Sequence, residues 1–260
     1  MSIITEYRVI IFLGIYVSLF LLENYMSARH NFNRLERLKT NWMISITNTA
    51  IMFVLGLFFP LLLFGIALKV DSVSFGVFNQ ISIPLVLEII ISIIALDFII
   101  WLQHLATHKN NFLWRFHKVH HSDNEMDVST AIRFHPIEIV FSFFVKLVCV
   151  IVLGIAPISI ILFEIILSSF ALMTHANILL SKNLDTTIGK IFITPSMHVI
   201  HHSPNRDYHD NNYGFCLSIW DRLFKTYIPS FSVNPNGTGI EGYNQNDNYY
   251  LKNMKLPFSS

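Results

Sequence analysis

The sequence predicts an all-α, polytopic membrane protein, with about four or five apolar helices crossing a bilayer and a cytosolic helical cap. Three observations predict it. Of 260 residues, 53% are hydrophobic and 13% charged, about half the roughly 25% charge of an ordinary soluble domain. The apolar residues gather in five long runs, and a bilayer core needs about 20 residues per helix. The segments between the runs are polar and hold most of the twelve histidines. The same numbers exclude other classes. The chain is too apolar to be disordered, its two cysteines are too few for a disulfide scaffold, and a net charge of +1 lacks the basic excess of a nucleic-acid binder.

The first run, about 9–22, is followed by Glu23-Asn-Tyr-Met rather than a small-residue cleavage site, so it reads as a retained span, not a signal peptide. Residues 27–40 are polar and basic and read as a loop. The second run, about 43–67, contains Pro60 and spans with a kink. The third, about 83–103, carries Glu88 and Asp97, each costing about 2.5–3.5 kcal/mol at a membrane centre. Residues 104–135 are polar. The next apolar stretch is too long for one span and is interrupted at Gly154-Ile-Ala-Pro157, which predicts two helices, about 137–154 and 158–174. Residues 181–260 are polar and aromatic. The Phe-rich runs (Phe58 and Phe59; Phe141, Phe143 and Phe144) read as lipid-facing or packing residues. Nothing resembles a linker, so the chain reads as one unit over 1–260.

Charge asymmetry predicts orientation. If 27–40, 104–135 and 181–260 share one side, that side holds 15 of the 18 lysines and arginines, leaving Arg8, Lys69 and Lys146. The positive-inside rule makes that side cytoplasmic and carries both histidine-rich segments and the C-terminus there.

Three histidine clusters stand out: His104-x-x-x-His108, His117-x-x-His120-His121 and His198-x-x-His201-His202. Positions i, i+3 and i+4 share a helix face, so each cluster is expected to point its imidazoles at one place. Neutral imidazole is the commonest metal ligand. Eight such ligands exceed one four- to six-coordinate ion, and two ions fit the count. Thiolate ligands and an HExxH motif are absent, which removes iron–sulfur, cysteine–zinc and metalloprotease readings. At this histidine frequency, HxxHH has a chance expectation of roughly 0.025 per chain, and it occurs twice.

The three boxes, their order and their membrane setting resemble the membrane-bound fatty acid hydroxylase/sterol desaturase superfamily. The resemblance covers about 97–227 and extends beyond the boxes. Arg133-Phe-His135-Pro136-Ile-Glu138 is similar to its RxHPxE segment, and Thr174-His175-Ala-Asn177 to its HxN segment. Asp210-Asn-Asn212-Tyr213-Gly214 and Trp220-Asp221-Arg222-Leu-Phe-Lys-Thr226-Tyr227 are similar to its closing stretches. Two positions depart from the pattern: Leu105 stands where the first box has arginine, and Lys225 where glycine is common.

The resemblance implies a non-heme di-iron centre that uses O2 to hydroxylate or desaturate a lipid in lipid metabolism. The candidate lipids are fatty acyl, sterol, sphingoid or ether lipids. Iron comes from the resemblance alone, since imidazole affinity rises toward copper. The implied metal ligands are His104, His108, His117, His120, His121, His198, His201 and His202, with His175 at the end of the last span as the ninth. Asp97 is a candidate for orienting a ligand imidazole, against a buried acid with a structural partner. Asn177, Asp210 and Asn212 are candidates for the same task, against turn and capping roles. His135 reads as supporting rather than binding metal. Arg133 and Glu138 are expected to pair with each other or with Asp221, and His30 and His209 to lie at the surface. The sequence contains no recognisable heme or flavin module, so an external electron-transfer protein of cytochrome or ferredoxin type is the implied partner. Two other readings stand beside this one: a membrane zinc hydrolase, and a non-enzymatic membrane metal- or heme-binding protein.

Overall fold

An apolar run in a bilayer satisfies its backbone only through hydrogen bonds within the segment or a closed barrel, and among the described residues the apolar runs of this chain are helical nearly throughout. The computed structural model describes residues 2–29, 34–59, 62–232, 237–243 and 249–259. His30 and Pro60 lie outside the described residues. The long helices are α1 (Ser2–Tyr25), α2 (Arg34–Phe58), α4 (Leu85–Lys109), α6 (Pro136–Leu153) and α7 (Pro157–His175), with the shorter α3 (Leu62–Ser72) following α2. Between and after them come α5 (Asn111–His121), α8 (Lys182–Ile188), α9 (Pro195–His201), α10 (Arg206–His209), α11 (Ile219–Leu223) and α12 (Tyr250–Lys255). Among the described residues no strand forms, only isolated bridges such as Phe192 with Leu217. Five segments are long and apolar enough to cross a membrane, with α2 and α3 counted as one.

The spans pack around α4, α6 and α7. Leu96 and Ile100 of α4 meet Phe143 and Leu147 of α6, Ile160 and Phe163 of α7, and Leu63 of α3 in one core. Other apolar residues of the spans, such as Phe53 and Leu57 of α2, Val86 of α4 and Val148 of α6, are exposed, as a lipid-facing surface requires. The α6–α7 turn falls where expected. Gly154 adopts φ 70°, and a Cβ there would come within 2.6 Å of the Phe75 carbonyl, so the turn needs glycine.

Helix boundaries exceed the apolar runs, and one difference matters. The segment 27–40 was expected to be loop, yet Arg34–Lys39 form the first turns of α2. The reason is a buried polar contact. Arg37 sits on the inner face and bonds both oxygens of Asp123 (2.6 and 3.1 Å) and Asp127 Oδ2 (3.2 Å). Asn41, one turn on, reaches Asp123 and Ser129. Burial alone would push the Asp123 carboxyl up, but Arg37 and Arg133 hold it well below the usual carboxylate range. Removing one partner of such a buried pair costs about 3–5 kcal/mol. This contact ties α2 to the loop after α5, and so to the histidine-bearing region.

Candidate metal centre

Four elements converge on one region. The last turns of α4 carry His104 and His108. Asn110 then ends α4 with an extended backbone and caps α5, its side chain accepting from Phe112 N (2.9 Å) and Leu113 N (3.2 Å). The chain therefore turns back at once, and α5 presents His117, His120 and His121. The last residue of α7 is His175. Thr194 caps α9, and Pro195 stands in its first turn, where a missing N–H costs nothing. That short helix presents His198 and His201, with His202 as its C-cap. All nine imidazole residues are buried.

The structure sorts the nine into two groups. His104, His108, His117, His121 and His201 form one, and His120, His175, His198 and His202 the other; within each group the ligand atoms lie within 4.8 Å of one another. This corrects the expectation that each HxxHH box points at one place. At 100° per residue, i and i+4 differ by 40° while the i+3 residue lies about 100° from i+4. His117 and His121 accordingly stay together and His120 turns to the other group. His198 and His202 likewise stay together and His201 crosses over.

In five of the nine, the outward nitrogen is committed. Nδ1 of His104 meets the Tyr213 carbonyl (2.7 Å), that of His117 the Glu138 carboxylate (2.6 Å), and that of His120 the Arg133 carbonyl (3.2 Å). Those of His175 and His201 meet the carbonyls of Ala171 (2.7 Å) and Asn211 (2.8 Å). Each partner is an acceptor, so Nδ1 carries the hydrogen and Nε2 is a bare lone pair. Yet Nε2 of His104 stands 3.1 Å from Nε2 of His117, and Nε2 of His175 stands 3.0 Å from that of His120. Lone pairs facing at this distance repel unless a cation lies between them. Neighbouring ligands at right angles on an ion with metal–nitrogen bonds of about 2.0–2.1 Å stand about 3 Å apart. Nε2 of His108 and His201 and both ring nitrogens of His121 and His202 are buried without partners. Burial, then the surrounding imidazoles, holds His120, His121, His198 and His202 well below the usual imidazole range. Burial and His104 do the same for His201. The donor set is neutral, dense and short of partners, which fits two metal ions.

Several expected roles change. Asp97 accepts from Trp220 Nε1 (2.8 Å) and Leu217 N (3.3 Å). It fastens α4 to the C-terminal segment rather than to an imidazole. Asn177 bonds Ser27 and the backbone of Arg29, tying the end of α7 to the end of α1. Asn212 spans Met197 O, Ile228 O and Ile228 N. His135 caps α6 and packs on Phe116 and Phe258. Of these candidates Asp210 alone reaches an imidazole, its Oδ1 lying 3.4 Å from His108 Nδ1. The expected Arg133–Glu138 or Asp221 pairing does not form. Arg133 donates to Val119 O, Asn41, Ser122 and Asn253, and Glu138 holds His117. Asp221 accepts from Trp101 Nε1, Tyr213 N and Gly214 N, and so sets the carbonyl that holds His104. His209, expected at the surface, is 7% exposed and lies against His108 and His121. Glu138 was visible in the sequence but given the wrong partner. The anchoring carbonyls carry no side-chain signal at all.

The fatty acid hydroxylase family model matches residues 89–226, which contain all nine histidines. The chain belongs to the fatty acid hydroxylase family. Similar proteins include the ornithine lipid hydroxylase OlsE of Rhizobium tropici, 29% identical over 177 residues, covering 68% of this chain and 52% of that protein. The alkylglycerol monooxygenases of Caenorhabditis elegans and Homo sapiens are 32% and 31% identical over 133 and 143 residues. Those matches cover 50% and 52% of this chain, and 25% and 29% of the relatives. The chain thus spans about half the length of the hydroxylase and under a third of the monooxygenases. No solved structure matches it. Within the family, the two positions that depart from its pattern now have a setting. Lys225 holds φ 62°, a left-handed conformation that favours glycine. Leu105 is half-buried between the two histidines of α4.

Proposed function

We propose that the chain is an O2-dependent di-iron oxygenase that hydroxylates a C–H bond of a membrane lipid. The observation that carries this reading is the paired Nε2 lone pairs at 3.0–3.1 Å in each of two buried imidazole groups. The names of the relatives, an ornithine lipid hydroxylase and alkylglycerol monooxygenases, favour lipid as substrate and hydroxylation over desaturation. Iron bound in the two groups would supply the redox chemistry that activates O2. The protein's part is to hold and orient. Glu138 and the carbonyls of Tyr213, Arg133, Ala171 and Asn211 fix five of the ligand rings through Nδ1, leaving Nε2 to the metals. Burial of all nine imidazoles keeps bulk water from the reacting region. His104 and His175 stand at the ends of spans α4 and α7, so the centre lies at the membrane face, where a lipid chain reaches it without leaving the apolar phase. Electrons come from an external protein donor of cytochrome or ferredoxin type, on the side that the positive-inside rule makes cytoplasmic.

The test is turnover by the purified chain under 18O2 with a reductant and cell-derived lipid, read by lipid mass spectrometry. One 18O atom in a lipid product, dependent on iron, is expected. O2-independent lipid cleavage by a zinc-loaded chain would overturn the reading.

A further inference from the structure

Among the described residues, His209 and Asp210 form a further group of ligand-type side chains beside His108. His209 lies on the outer edge of the five-histidine group, its ring centroid 5.5 Å from that of His108 and 5.8 Å from that of His121. Trp114 stacks on it at 5.3 Å with 22° between the planes. Nδ1 of His209 donates to the Ser203 carbonyl at 3.2 Å, so its Nε2 is a bare lone pair. That lone pair stands 3.7 Å from Asp210 Oδ1, which is itself an acceptor. The other carboxylate oxygen is held by Lys109 Nζ at 2.8 Å. Two acceptors thus face each other beside a cationic side chain that has taken only one edge of the carboxylate.

His108, His209 and Asp210 offer ligand atoms within 4.8 Å of one another. His108 belongs to this trio and to the inner group alike. Its Nδ1 lies toward Asp210, and its Nε2 is buried without a partner. The His108 side chain is 0% exposed and that of Asp210 31% exposed, so the trio runs from solvent to the inner group. An imidazole and a carboxylate are together a good first landing for a hydrated divalent cation.

Resting on the two-metal reading above, we propose that His209 Nε2 and Asp210 Oδ1 form an outer docking site for a divalent cation, from which the ion passes beside His108 into the five-histidine group. An ion going from water to a fully buried site must shed its waters in steps. The outer site replaces some of them before burial. Lys109 competes with the cation for Asp210 and so restrains loading.

The experiment follows uptake of Co2+ alone by the metal-free full chain in detergent, with stopped-flow absorption for the rate and elemental analysis for the final count. The parent takes up two ions per chain. His209→Gln takes up the same number at least tenfold more slowly at micromolar Co2+, and Asp210→Asn is slowed to the same degree. Lys109→Gln loads at least twofold faster while melting at the parent's temperature, which sets the gain apart from a loosened fold. Equal rates in all four proteins would overturn the proposal. So would the loss of one cobalt from the final count of His209→Gln, which would make His209 a resident ligand. A parent that takes up no cobalt would overturn the two-metal reading, and the docking site with it.

Discussion

Five of the imidazoles, those of His104, His117, His120, His175 and His201, are held through Nδ1 by a group behind them. Glu138 accepts from His117 at 2.6 Å, and Glu138→Gln keeps the shape while removing the charge. Loss of such a partner weakens metal binding by about 10–100-fold, so one of two ions is expected to dissociate at a chelator concentration the parent withstands, measured by equilibrium metal titration. Protonation gives a second prediction. His120, His121, His198, His201 and His202 are held well below the usual imidazole range, whereas an unfolded histidine titrates near about 6.5. As pH falls through that value, the unfolded chain binds protons that the fold does not, so stability present at neutral pH and above is lost on acidification. The metal-free protein is expected to melt at a lower temperature at pH 5.5 than at pH 7.5, and a flat profile would count against the buried neutral cluster. The residue scale is also where the sequence was most and least informative. All nine histidines were legible from spacing and resemblance. Their division between two groups was not, because it depends on 40° and 100° angles about short helices. His209 read as a surface residue because nothing in the chain announces that Trp114 covers it.

At the scale of elements, all five apolar spans were legible, since length and hydropathy alone decide what can cross a bilayer. Helices α6 and α7 fall within one residue of their predicted bounds, whereas α1, α2 and α4 extend six to nine residues beyond their apolar runs. Those polar ends were not legible. The first turns of α2 looked like a basic loop until Asp123, 86 residues away in the chain, supplied a buried partner for Arg37. The same limit applied to Asp97, whose partners Leu217 and Trp220 lie on a distant segment. Local conformation at Lys225 was legible only as a departure from the family pattern, and its φ of 62° gives the reason glycine is common there. A left-handed residue with a Cβ costs about 1–2 kcal/mol, partly offset by the greater chain entropy of glycine. Lys225→Gly is therefore expected to stabilise the protein by roughly 0.5–1 kcal/mol, read as a raised melting temperature in detergent. A lowered one would show that the Lys225 side chain contributes more than its backbone costs.

For the whole molecule, scarce charge and abundant histidine have one arrangement behind them. Apolar helices occupy the bilayer, and the histidine-bearing turns sit where α4 and α7 leave it. The proposed sidedness rests on the arginines and lysines and is open to labelling. A Lys255→Cys chain, with its native Cys216 buried and Cys149 in a span, is expected to react with a membrane-impermeant maleimide in inside-out vesicles and not in intact cells. The reverse pattern would place the histidine face outside. The central claim, that two imidazole groups hold one ion each, is tested most directly by counting metal. Elemental analysis of the purified parent, His201→Ala and His120→Ala proteins is expected to give two, one and one iron per chain, since the variants each remove a ligand from a different group. Two ions retained in both variants, or none in the parent, would contradict it.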